Sequence, residues 1–95
     1  MSNYQWQHNS LDYLDDSNNK IANIGFKLIN NDTTYVVEHT WVSESARGQG
    51  LAGKITVHFL EHIRTEKKDV VPLCPFTQKF FKSHPEYSDL LKNKE

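Results

Sequence analysis

The sequence predicts an α+β domain, in which a mixed, mainly antiparallel sheet carries one principal helix and a short C-terminal helix. Two segments, 20–29 and 34–42, show the two-residue alternation of β-strands and are separated by a short Asn/Asp turn. A helical stripe follows from Leu51 to about Lys67, and then a short apolar segment at 70–74. Because a helical crossover usually joins parallel neighbours, 70–74 is expected to lie parallel to Thr34 to Val42.

The antiparallel part is predicted to be a meander that begins with a strand around Leu11 to Leu14. DDSNN (15–19) and NND (30–32) are predicted hairpin turns, because Asn and Asp tolerate left-handed backbone. Strict alternation in the strand after the second turn puts its residues on two faces. One face is expected to hold Tyr35, Val37, His39 and Trp41, and the other Val36, Glu38, Thr40 and Val42.

The principal helix is predicted from apolar residues at three- and four-residue spacing: Leu51, Ala52, Ile55, Phe59, Leu60 and Ile63. Pro72 places the 70–74 strand at an edge or where strands separate, since proline cannot donate a ladder hydrogen bond. Pro75 fits the first position of a second helix, from Phe76 to about Ser83, and this would make Cys74 its N-cap. Pro85 disfavours helical backbone at His84.

The composition favours one domain over residues 1–95, with 37% hydrophobic and 12% aromatic residues. Eleven basic and twelve acidic residues give a net charge of −1, without the basic block that nucleic-acid binding requires, so RNA or ribosome association ranks last. No apolar run reaches the roughly 18 residues of a membrane span. One cysteine and a start without a secretory signal indicate a reduced, cytoplasmic protein, expected as a monomer or weak dimer.

The segment SARGQGLAGK (45–54) places three glycines at the start of the principal helix. Such backbone lets amides approach a ligand, and a helix N-terminus favours anions such as pyrophosphate. The alternative is a strand-to-helix turn whose glycines only satisfy positive φ. Two nucleotide motifs fail: Ile55 stands where a P-loop needs a hydroxyl for Mg²⁺, and GQGLAG follows antiparallel hairpins rather than opening a βαβ unit.

The stretch Arg47-Gly48-Gln49-Gly50-Leu51-Ala52 is similar to the R/Q-x-x-G-x-G/A signature of the GNAT superfamily of N-acetyltransferases. With VEHTWVSESARGQGLA, VVPLCPF and HPEYSDLL, the resemblance covers about residues 10–91 and is to compact GNAT-like proteins that hold little beyond the acetyl-CoA-binding core. It implies acetyl transfer from acetyl-CoA to an amine of a small molecule or a protein lysine, without a metal. The alternative is a module that binds CoA or acetyl-CoA without turnover.

The resemblance also implies where the cofactor lies. Pyrophosphate would rest on the amides from about Arg47 to Ala52 and pantetheine beside the 34–42 strand, in a gap that Pro72 helps to leave. Arg47 is either a phosphate contact or a solvated loop arginine. The residues expected to bind the cofactor are Thr40, Trp41, Val42, Arg47, Gly48, Gln49, Gly50, Leu51, Ala52, Gly53 and Phe76.

His39 and Cys74 are the predicted catalytic residues. His39 is either a half-buried structural residue or the base that takes the proton of the attacking amine. Cys74 is either a buried small hydrophobe or, at a helix N-terminus that favours the thiolate, an acid for the departing CoA or an acetyl carrier. Many GNAT proteins use a tyrosine on the helix after this strand as the acid. Here that helix carries phenylalanines and is expected to offer no hydroxyl: Phe76, Phe80 and Phe81.

The remaining titratable residues show no metal pattern. His58 and His62 are four residues apart on the principal helix, but Phe59 stands where a zinc protease has its glutamate. Glu38 and Thr40 are expected on the face opposite His39, and neither is predicted to orient its ring.

Overall fold

The protein folds around one five-stranded sheet, described for residues 3–92 by a computed structural model. Its spatial order follows the chain, β1-β2-β3-β4-β5. The first four strands are antiparallel neighbours, and β5 lies parallel to β4. The predicted α+β class and the parallel crossover are confirmed. The strands are β1 Asn3–Trp6, β2 Ser10–Leu14, β3 Lys20–Ile29, β4 Thr34–Val42 and β5 Asp69–Pro72.

Two α-helices and two 3₁₀ turns complete the described part of the chain, 3–92. They are a 3₁₀ turn at Glu44–Ala46, α1 at Leu51–Glu66, α2 at Pro75–Ser83 and a second 3₁₀ turn at Pro85–Leu90. Most of the predicted stripe of α1 is buried against the sheet, and left-handed Lys67 ends the helix. None of the helices within residues 3–92 is long and apolar enough to cross a membrane.

Strand β1 was missed, and the prediction that the sheet starts near Leu11 is wrong. NYQW alternates too briefly to predict a strand, yet its two aromatic residues pack against α1. Tyr4 stacks on His58 at 3.6 Å between ring centroids, and Trp6 lies 5.7 Å from Phe59. Aromatic contact with a distant helix therefore fixes this edge strand.

Both predicted hairpin turns are confirmed. In the first, the Asp15 carboxylate accepts hydrogen bonds from the backbone N–H groups of Ser17 and Asn19, both at 2.9 Å. In the second, Asn30, Asn31 and Asp32 have φ of 57°, 59° and 63°. These left-handed residues are the types that meet the smallest steric penalty there.

The C-terminal 3₁₀ turn docks on α1, which explains the HPEY segment. The Tyr87 hydroxyl donates to Glu61 at 2.8 Å, and Arg64 donates to the Asp89 carboxylate at 2.7 Å. The hydroxyl of Tyr87 is therefore engaged in packing rather than in chemistry.

A β-bulge in β4 changes which side chains share a face. Gly25 pairs with His39 but Phe26 pairs with Val37, so Glu38 is the extra residue. The expectation that His39 and Trp41 share the face of Tyr35 and Val37 is wrong, because one extra residue reverses the alternation beyond it. Thr40 and Val42 now lie on the helix face, and His39 and Trp41 on the opposite, helix-free face.

Candidate active site

Strands β4 and β5 separate at the centre of the molecule. Their pairing ends at Val37 opposite Pro72, while β4 continues to Val42. The Val37 carbonyl accepts from the amides of Leu73 at 2.9 Å and Cys74 at 3.1 Å, and this turns the β5 chain away. Within residues 3–92, segment 38–42 has no strand partner on that side. The structure thus has a gap where Pro72 predicted one.

The glycine loop closes one end of this gap. Gly48 and Gly50 have φ of 86° and 74°, and a Cβ at either would meet nothing within 4 Å. They are needed for left-handed backbone rather than for space. Gly50 is the N-cap of α1, and the first helical bond runs from the Lys54 amide to its carbonyl at 3.1 Å. The amides of residues 51 to 53 therefore remain available to a ligand.

A cavity of about 300 Å³ lies at this loop. Arg47 is exposed, and its Nε donates to the Val42 carbonyl at 3.2 Å, so its guanidinium spans the loop. Gln49 is exposed on the same loop. The residues that line the cavity are Val42, Ala46, Arg47, Gly48, Gly50, Leu51 and Ala52.

A larger cavity of about 870 Å³ opens between α1 and α2. Its walls are mostly apolar, and its charged lining residues are Lys54 and Glu61 on α1 and Lys79 on α2. Gly50 lines both cavities, so they meet at the glycine loop. The lining residues are Tyr4, Gly50, Gly53, Lys54, Val57, His58, Glu61, Phe76, Lys79, Phe80, Ser83 and His84.

Cys74 lies on the helix side of the gap. It is the N-cap of α2, as predicted, and is only 5% exposed. Its Sγ lies 3.5 Å from the Thr40 hydroxyl. Burial acts to raise the pKa of the Cys74 thiol, but hydrogen bonds from Thr40, Thr77 and the Phe76 amide outweigh it and leave that pKa below the ordinary value.

Thr77 is a site residue that the sequence analysis missed, and the expectation of no hydroxyl on α2 is wrong. Its hydroxyl is buried and finds no hydrogen-bond partner among residues 3–92. Its position near the sulfur lets this hydroxyl act to lower the pKa of the Cys74 thiol. The signal was the i, i+3 spacing from the N-cap cysteine.

His39 lies on the other side of the sheet. Its ring covers Gly25, and its Nε2 is 3.0 Å from Oδ1 of Asn23. Trp41, 41% exposed, shares this face, so its side chain points away from α1 and α2. An open cavity of about 520 Å³ is lined by Lys20, Asn23, His39 and Trp41. Asn23 is thus the side chain that contacts the imidazole nitrogen.

The structure therefore separates the two predicted catalytic residues. Cys74 faces the helices together with Thr40, and His39 faces the open side of the sheet. The gap beyond Val37 is where the two sides meet. His58 stacks on Tyr4 and His62 lies tilted against Trp6, and the described chain, 3–92, contains no group of three or more residues placed to hold a metal ion.

Comparison with known families and folds gives a consistent result. The family model described as GCN5-related N-acetyl-transferase matches residues 11–90. A solution structure from Staphylococcus aureus, of a GCN5-like protein described provisionally as an N-acetyltransferase, has a TM-score of 0.76 at 25% identity and covers 98% of this chain and 90% of its own. Comparison with curated proteins gave no match.

Larger proteins share the fold in part. A GNAT family N-acetyltransferase from Escherichia coli, in complex with CoA, has a TM-score of 0.58 at 25% identity and covers 67% of this chain. This chain spans only 38% of that protein. A ribosomal-protein-alanine N-acetyltransferase from Brucella melitensis, at 18% identity and a TM-score of 0.58, shares the fold over 90% of this chain and 62% of its own.

Proposed function

The chain belongs to the GCN5-related N-acetyltransferase family, and we propose that it transfers the acetyl group of acetyl-CoA to an amine. The observation that carries the proposal is the gap between β4 and β5, which starts at Val37 and Pro72 and has a glycine loop on the helix side. An extended thioester arm fits such a gap. CoA in the related Escherichia coli structure supports the same cofactor here.

The cofactor's diphosphate is proposed to bind the free amides that follow Gly50. A helix N-terminus contributes only about 0.3–2 kcal/mol to an anion, whereas micromolar affinity needs about 8 kcal/mol. The pantetheine arm must supply much of the difference by hydrogen bonding along segment 38–42, as an added strand does. The nucleotide end would occupy the cavity between α1 and α2, where Lys54 and Lys79 suit its phosphates.

The amine is proposed to approach from the open face and the cofactor from the helix face. The nitrogen of the amine attacks the acetyl carbonyl carbon, a C–N bond forms, and His39 accepts the ammonium proton. The C–S bond breaks, and the departing CoA thiolate takes the proton of the Cys74 thiol. The open cavity beside His39 would admit either a small amine or a lysine side chain.

A second role for Cys74 is favoured by the lowered pKa of its thiol. The thiolate would attack the acetyl carbonyl, release CoA and carry the acetyl group as a thioester, which the amine then takes over. The hydroxyls of Thr40 and Thr77 support this role, because both act to lower the pKa of the thiol.

Mass spectrometry of the intact protein with acetyl-CoA tests these steps together. Native spectra report bound cofactor, denatured spectra report an acetyl adduct, and an amine panel reports transfer. Cys74→Ala should abolish any adduct and His39→Ala should strongly slow transfer, while both leave cofactor binding intact. His8→Ala, on an exposed loop, is the matched control.

The rival function is a module that binds CoA without turnover. It is supported if acetyl-CoA binds but no amine is acetylated above the uncatalysed background. If neither CoA nor acetyl-CoA binds at millimolar concentration, both functions are excluded.

A further inference from the structure

A chain of polar side chains lies behind His39 on the helix-free face. Asp12 and Asn23 are paired across β2 and β3, and Asn23 is paired with Trp41 on β4, so all three share this face. Asp12 is 5% exposed and Asn23 8%, which is unusual for such residues on a sheet without a covering layer. Buried polar groups of this kind need partners, and each partner constrains the next.

The first links in the chain fix the direction of the Asn23 amide. Asn23 Nδ2 donates to Asp12 Oδ1 at 2.6 Å. The Asp12 carboxylate also accepts from Ser10 at 3.2 Å and lies 3.9 Å from the Lys20 ammonium, and a carboxylate can only accept. The NH₂ group of Asn23 must therefore face Asp12, and its carbonyl oxygen must face His39.

The contact between Asn23 and His39 then fixes which nitrogen of the imidazole carries the proton. Asn23 Oδ1 can only accept, and it lies 3.0 Å from His39 Nε2, so Nε2 must carry the proton. In the neutral ring this leaves Nδ1 as the nitrogen with a free lone pair. The protonation of the ring is thereby defined by residues on β2 and β3.

The absence of a side chain at Gly25 leaves room for the His39 ring. An ideal Cβ at Gly25 would overlap the Cε1, Nε2 and Nδ1 atoms of His39. The ring therefore lies flat over a position without a side chain, and any larger residue would displace it.

We propose that Asn23, held by Asp12, is a positioning residue that keeps His39 in the Nε2–H tautomer, with Nδ1 as the atom that takes the amine proton. The tautomer follows from the contacts alone. The role of Nδ1 rests on the proposed function.

Two variants distinguish a role of Asn23 in positioning His39 from a role that only fills space in the sheet. Asn23→Leu keeps the size of the side chain and removes the acceptor. The double variant Asp12→Asn/Asn23→Asp exchanges the amide and the carboxylate. The carboxylate then introduced at position 23 still accepts from Nε2–H and from the amide at position 12. A purely structural role predicts no change of the His39 tautomer in Asn23→Leu.

Nitrogen-15 NMR of the imidazole, at a pH where the ring is neutral, reads the tautomer without any need for activity. We expect a single Nε2–H form in the natural protein, a mixture of tautomers in Asn23→Leu, and the single form again in the exchanged variant. Amine acetylation should fall about 10–100-fold in Asn23→Leu and recover in the exchanged variant.

The proposal is overturned if His39 carries its proton on Nδ1, or if Asn23→Leu keeps both the pure tautomer and the full rate. If Asn23→Leu does not fold, the natural protein and the exchanged variant decide the question through the same spectra. Full activity of His39→Ala would instead contradict the proposed function and leave the tautomer result standing.

Discussion

The two faces of strand β4 beyond its bulge offer different chemistry. The helix face is closed and has few charges: Cys74 contacts the Thr40 hydroxyl and lies close to that of Thr77. The open face is polar: His39 contacts Asn23, and Asn23 donates a hydrogen bond to the Asp12 carboxylate. One extra residue in β4 thus decides which side chains face the helices and which face the open side.

We expect the two faces to serve different steps of acetyl transfer. An electrophile in the gap would have a buried thiol on one side and an oriented imidazole on the other. Changes on the helix face should alter how the cofactor is bound or carried. Changes on the open face should alter transfer and spare cofactor binding.

The largest effect is expected on the open face, from His39→Ala. General-base catalysis contributes about 10²–10⁴-fold, so the rate of amine acetylation should fall by that amount. Calorimetric titration should give an unchanged Kd for CoA, because the side chain faces away from the helices. Weaker binding of CoA with an unchanged rate of amine acetylation would contradict the different roles assigned to the two faces.

Gly25→Ala should act on the same face without replacing any catalytic residue. Its Cβ would displace the His39 ring, and misplacement of this kind costs about 10–100-fold in rate. The decisive control is the pair Gly25→Ala with His39→Ala. If Gly25 acts only through the ring, adding Gly25→Ala to His39→Ala should cause no further loss of rate.

Much of the fold could be predicted, because its signals are local. The turn residues, the stripe of α1 and the prolines around Cys74 each act within a few positions, and each element was found close to its observed bounds. Strand β1 has no such signal, because Tyr4 and Trp6 are stabilised by contacts with α1, far away in the chain.

The site was less predictable, because the bulge in β4 and the register between β2 and β3 decide which side chains come together. Strict alternation cannot detect the extra Glu38, and so it put Thr40 on the wrong face. The pairing of Asp12 with Asn23 depends on the register between β2 and β3, which carries its own irregularity at Leu14. One signal was present: each strand has a polar residue inside an apolar run, and buried polar residues tend to pair.

On the helix face, Gly50→Ala should produce a moderate effect. Left-handed backbone costs a residue with a Cβ about 1–2 kcal/mol, so the free energy of unfolding should fall by that amount, and CoA binding should weaken as the loop relaxes. Gly53→Ala is the matched control, since Gly53 lies inside α1 and its Cβ would meet nothing. Thermal unfolding should show the control at least as stable as the natural protein. Equal losses in both variants would contradict the backbone explanation.

The smallest effect concerns the ionisation of Cys74. Alkylation by iodoacetamide follows the thiolate, so the lowered pKa should put the midpoint of its pH–rate profile below that of an ordinary cysteine. Thr77→Val removes a donor to the thiolate and should move this midpoint to higher pH. Thr56→Val is the control, because that buried hydroxyl donates to the Ala52 carbonyl and not to the sulfur. An unchanged midpoint in Thr77→Val would mean that Thr40 and the helix amides lower the pKa without Thr77, and the helix face would then need no side-chain donor from α2.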